Sequence, residues 1–119
     1  LNNLATLFYG QDRIDEAEPL LRRVVAINEQ FLGPEHPDVA TGLSNLGVLQ
    51  SALGLHEEAE ASLARSLQIF AGLEAENGQS HEHMEPTKGD YLAALTEAGV
   101  AEDDAKARLT RILTETEKP

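Results

Sequence analysis

The sequence predicts an all-α protein of three helical hairpins stacked in tandem. Three observations predict it. A block of residues recurs at spacings of 42 and 46, apolar residues fall at i, i+3, i+4 within each block, and Gly- or Pro-containing breaks separate the stripes. Period-2 alternation and long β-branched runs are missing, which leaves strands without support.

Sliding the chain by 42 lays residues 1–27 on 43–69 with ten identities, among them Leu4/Leu46, Ala17/Ala59, Glu18/Glu60 and Leu21/Leu63. An offset of 46 lays 46–67 on 92–113 without a gap, pairing Leu46/Leu92, Leu49/Leu95, Ala59/Ala105 and Leu63/Leu109. One domain of three units follows, spanning 1–37, 38–84 and 85–119, the third diverged.

Six helices are expected. Leu1, Leu4, Leu7 and Phe8 form a first stripe, broken at Gly10-Gln11-Asp12. A longer helix carries Ile14, Ala17, Leu21, Val24, Val25, Ile27, Phe31 and Leu32, with Pro19 in its first turns, where a proline costs least. Gly33-Pro34 ends it, and Asp38 is the expected N-cap of the next helix, over 38–52. A break at Gly54 precedes a helix over 56–72, with His56 exposed at its start. The third hairpin is expected over about 87–98 and 102–115, broken at Gly99. Its second helix turns Ala105, Leu109, Ile112 and Leu113 inward and Lys106, Arg108, Arg111 and Glu115 outward. Small residues aligned as Ala5/Gly47/Ala93 and Ala17/Ala59/Ala105 mark close helix approach, where a larger residue costs about 1–3 kcal/mol.

These residues resemble the tetratricopeptide repeat: Leu4-Ala5, Phe8, Ala17, Leu21 and Val24 in the first unit, Leu46-Gly47, Gly54, Ala59, Leu63 and Ser66 in the second. The 42-residue period and the segment Leu32-Gly33-Pro34-Glu35-His36-Pro37 resemble more narrowly the kinesin-light-chain type. The resemblance covers 1–73 well and 87–113 only loosely; Tyr91 stands where the second unit has Asn45. It implies a right-handed superhelix, an α-solenoid, whose first helices line a concave groove for a peptide or partner protein.

Carried over residue by residue, the groove positions are Asn2, Asn3, Thr6 and Tyr9, then Thr41, Ser44, Asn45 and Val48, then Thr87, Tyr91 and Ala94. An Asn amide offers both donor and acceptor to an extended backbone, while Asn3 and Asn45 are equally able to satisfy neighbouring carbonyls or face water. The Lys/Asn/Arg clamp of family members that hold chaperone C-terminal carboxylates is unmatched, since the corresponding positions read Asn2, Thr6, Asn45, Thr87 and Tyr91.

Composition narrows the function classes. Asp and Glu number 21 against 9 Lys and Arg, for a net charge of −12 spread over all three units. Such a chain is not built for nucleic acid, and the charge either solvates the outer faces or steers a basic or neutral peptide to the groove. No run approaches a membrane span and residues 1–4 lack a leader pattern, so a cytoplasmic protein is expected. Without cysteine there is no thiol chemistry or disulfide. His81-Glu82-His83 with Glu85 is the one metal-like constellation, and it reads as a surface loop; no metal or cofactor is expected. The acidic pairs Asp15/Glu16, Glu57/Glu58 and Asp103/Asp104 each open a second helix, where the helix dipole explains them better than acid catalysis. No nucleophile or phosphate-loop motif is present, and a non-enzyme is expected. The leading expectation is an interaction scaffold. The alternatives are a structural segment associating through its open Leu1/Leu4 end, or an accessory region of a larger bacterial enzyme or signalling protein.

Overall fold

A computed structural model describes residues 14–78 and 82–117, which form five helices. These are α1 (Ile14–Leu32), α2 (Pro37–Ala52), α3 (His56–Asn77), α4 (Met84–Glu97) and α5 (Glu102–Glu117). No strand occurs among the described residues, and the fold is an all-α helical-repeat solenoid. The expected sixth helix, on Leu1 to Phe8, lies outside the described residues.

Turn chemistry sets the helix ends, and it corrects three expected boundaries. His36, not Asp38, caps α2: the Asp38 N–H donates to His36 Nδ1 at 3.0 Å, and Pro37 occupies the first turn. Helix α3 runs through Gly72 to Asn77, because its left-handed residue is Gly78 (φ 76°), whose N–H returns to the Glu74 carbonyl at 2.7 Å. Helix α4 starts at Met84, three residues before Thr87, so much of the stretch expected as a loop is helical. His83 precedes it with its ring tilted against Phe70, centroids 6.3 Å apart.

Helices α2 and α3 pair as a closed hairpin, with α1 against α2 on one side and α4 against α3 on the other. The core threads through all of them as Ala17, Leu21, Val25, Leu43, Leu46, Leu63, Leu67, Phe70, Tyr91, Leu95 and Ala105. Gly47 is essential to the closure: a Cβ there would stand 2.5 Å from Leu63 Cγ. The small positions Ala17, Ala59 and Ala105 are all buried, as the repeat predicts. Ser66 is tied down by donating to the Ala40 carbonyl at 2.7 Å. Within α1, however, Ile27, Phe31 and Leu32 are exposed, so the inward stripe stops at Val25. In α5, Ala105 is buried and Leu109, Ile112 and Leu113 pack half-buried on the core, while Lys106, Arg108 and Arg111 face out.

Candidate functional site

The two hairpin turns share one geometry. After α2, Gly54 is left-handed (φ 80°) and the Leu55 N–H reaches back to the Gln50 carbonyl at 2.9 Å. After α4, Gly99 is left-handed (φ 90°) and the Val100 N–H reaches the Leu95 carbonyl at 2.9 Å. This is the same helix-ending motif, and it equates Gln50 with Leu95 and Gly54 with Gly99, a spacing of 45 rather than 46. The extra residue sits in the turn: Leu53-Gly54-Leu55 joins α2 to α3, whereas Ala98-Gly99-Val100-Ala101 joins α4 to α5.

That one residue rotates the expected site on α4. Position Asn45 corresponds to Asp90 and not Tyr91, Thr41 to Pro86 and not Thr87, and Val48 to Ala93 and not Ala94. Burial agrees: Tyr91 and Thr87 are each 1% exposed, and Ala93 is exposed. Tyr91 and Thr87 are therefore core residues in this structure, and Tyr91 does not line the groove. Ser44 is also buried, its hydroxyl 3.2 Å from that of Thr87 in a bond that ties α2 to α4. Asn2, Asn3, Thr6 and Tyr9 lie outside the described residues.

The outward stripe of α2 consists of Thr41, Asn45, Val48 and Ala52, one turn apart. Beside it runs a shallow depression of about 120 Å³, lined by Val48, Ser51, Ala52, Asp90, Ala93, Ala94 and Glu97. The floor is apolar and the α4 wall is acidic. Ser51 crosses the groove to donate to Glu97 at 2.6 Å. Burial raises the pKa of Asp90 above the ordinary carboxylate value. Asp90, Ala93 and Glu97 were missed by gapless repeat matching; using the turn glycines as anchors would have found them.

On the opposite side, the second helices carry glutamates at equivalent repeat positions. Glu18 accepts from Gln50 at 3.0 Å and from Arg22, and the Gln50 amide oxygen accepts from Ser62 at 2.7 Å, which joins α1, α2 and α3. Glu60 accepts from Arg108 at 3.0 and 3.1 Å and from Tyr91 at 3.3 Å, joining α3, α4 and α5. Burial, then the Glu60 charge and its hydrogen bond, push the Tyr91 phenol up to about 12. An open cleft of about 340 Å³ separates α1 from α3 and is bridged by an Arg65–Glu29 ion pair. No group of side chains able to hold a metal is found among the described residues, and no described helix is long and apolar enough to cross a membrane. Of the metal-like constellation, His81 lies outside the described residues.

The tetratricopeptide repeat family model matches residues 1–71. No curated protein gives a significant match.

Proposed function

The chain belongs to the tetratricopeptide repeat family, whose repeats generally mediate protein–protein interaction, and from that premise we propose that it is a binding scaffold for a peptide or partner protein docked between α2 and α4. The carrying observation is the stripe Thr41, Asn45, Val48 facing outward beside the acidic α4 wall. The groove offers hydrogen bonding and apolar contact to a docked segment. An exposed Asn45 amide pairs with an extended backbone, and Val48 with Ala52 and Ala93 receives a side chain. The 42-residue spacing supports the kinesin-light-chain type within the family.

Screening a peptide library against the chain and against Asn45→Ala/Val48→Glu tests this. Binders should lose about tenfold or more in affinity on the variant, since a hydrogen bond and an apolar contact formed on docking are each worth about 1 kcal/mol or more. Binders indifferent to both changes would place the site elsewhere. A second reading, an assembly segment, is favoured by Ile27, Phe31 and Leu32, which are 47%, 78% and 44% exposed on one end of α1. Light-scattering mass against concentration, with Phe31→Glu as the control, measures that directly.

A further inference from the structure

The α2–α4 groove is one-signed. Asp90 and Glu97 line it, and no Lys or Arg does. Five of the described cations are engaged elsewhere: Arg22 with Glu18, Arg65 with Glu29, Lys88 with Glu85, Lys106 with Glu102 and Arg108 with Glu60. Among the described residues Asp90 has no hydrogen-bond or ion-pair partner, although it is half-buried. A carboxylate held partly out of water without a cation is disfavoured, and a cation arriving from outside relieves it.

Resting on the reading of the groove as a docking site, the geometry points to a lysine-bearing extended segment as its occupant. The floor of Val48, Ala52, Ala93 and Ala94 suits the four-carbon lysine stem, which lies along apolar surface while its ammonium stays at a polar rim. The spacing also fits. Asp90 and Glu97 are seven residues apart on one helix, about 10.5 Å along its axis. Lysines on the same face of an extended strand recur at about 7 Å (i, i+2) or about 13.5 Å (i, i+4), and their flexible stems span the difference. The net charge of −12 assists by drawing a cationic segment towards the surface. An acidic segment would bring like charge against Asp90 and is rejected.

The test uses three short synthetic peptides of one Ala/Val/Ser framework, with Lys, Gln or Glu at two positions four apart, read by fluorescence anisotropy on the full chain. The lysine peptide should bind tightest and weaken as salt rises from about 0.05 to about 0.5 M. Asp90→Asn and Glu97→Gln, which keep size and the Ser51 contact, should each weaken it about two- to fivefold and together erase the Lys-over-Gln preference. Circular dichroism melts should be unchanged, which separates binding from folding. Equal or tighter binding of the Gln or Glu peptide, or a preference that survives in the double variant, would overturn the inference. If the Gln peptide binds equally and Val48→Glu abolishes it, the charge reading fails and the groove stands. If none of the three binds, the lysine proposal falls, and the library screen judges the groove independently.

Discussion

The hairpins α2–α3 and α4–α5 are made from matching repeat positions and end their first helices in the same turn, yet they close differently. In α2–α3, Gly47 lies against the fully buried Leu63. With the turns aligned, the counterpart of Gly47 is Leu92, and the counterpart of Leu63 is Leu109, which is only half-buried. A cleft of about 280 Å³ lies between α4 and α5, lined by Leu92, Thr96, Val100, Ala105 and Lys106 among others. Helix α5 packs more extensively on α3 than on its own hairpin partner, and Arg108 anchors it there through Glu60. A bulky residue at the crossing point and one added turn residue thus convert an intra-hairpin contact into an inter-unit one. Repeat identity does not guarantee repeat geometry where backbones must approach within a side-chain radius.

The sharpest way to break this comparison is to empty the crossing point. Leu63→Ala should cost about 2–5 kcal/mol in denaturant unfolding, because the site is fully enclosed. Leu109→Ala should cost well under half of that; equal costs would show that the two hairpins are closed alike.

Next in size is the glycine itself. Gly47→Ala drives a Cβ to 2.5 Å from Leu63 Cγ, an overpacking cost of about 1–3 kcal/mol against a helix-propensity gain of about 1. A net loss of up to about 2 kcal/mol is expected. At exposed Ala93, Ala93→Val should stay within about 0.5 kcal/mol.

The polar link between second and third units gives a smaller, pH-dependent effect. Tyr91→Phe removes the bond to Glu60 and should cost about 0.5–1.5 kcal/mol at neutral pH. The folded phenol is raised from 10 to about 12, so the folded state resists ionisation. Its stabilisation is complete below pH 10 and is lost as pH rises towards 12. The stability gap between wild type and Tyr91→Phe should therefore shrink across that window, and tyrosinate absorbance in the wild type should appear late.

The smallest effect is at the rim of the open hairpin. The Lys106 hydrogen bond and charge hold the Glu102 carboxyl below its ordinary value. Lys106→Gln should return it towards that value in an NMR titration without a resolvable change in melting temperature.

Much of this was legible in the sequence. Helix class, the buried alanines and the inward face of α5 follow from periodicity, because a 3.6-residue helix must bury one stripe. The outward placement of Thr41, Asn45 and Val48 on α2 was legible for the same reason. Less legible was the end of α1, where Ile27 matches the buried Ile69 of α3 and Phe31 the partly buried Leu73, yet both are exposed.

By itself, then, the sequence determined that this protein is an acidic array of helical hairpins with Asn45 and Val48 on the outward stripe of α2. Only the tertiary structure decided which face of α4 joins that stripe. Leu46/Leu92 and Leu49/Leu95 match better by identity at a spacing of 46, but packing places Tyr91 and Leu95 inward and sets Asp90, Ala93, Ala94 and Glu97 along the groove. The reason is angular: one residue turns a helix by about 100°, so an insertion too small to disturb the repeat in the sequence carries a tyrosine into the core and brings a carboxylate to the groove.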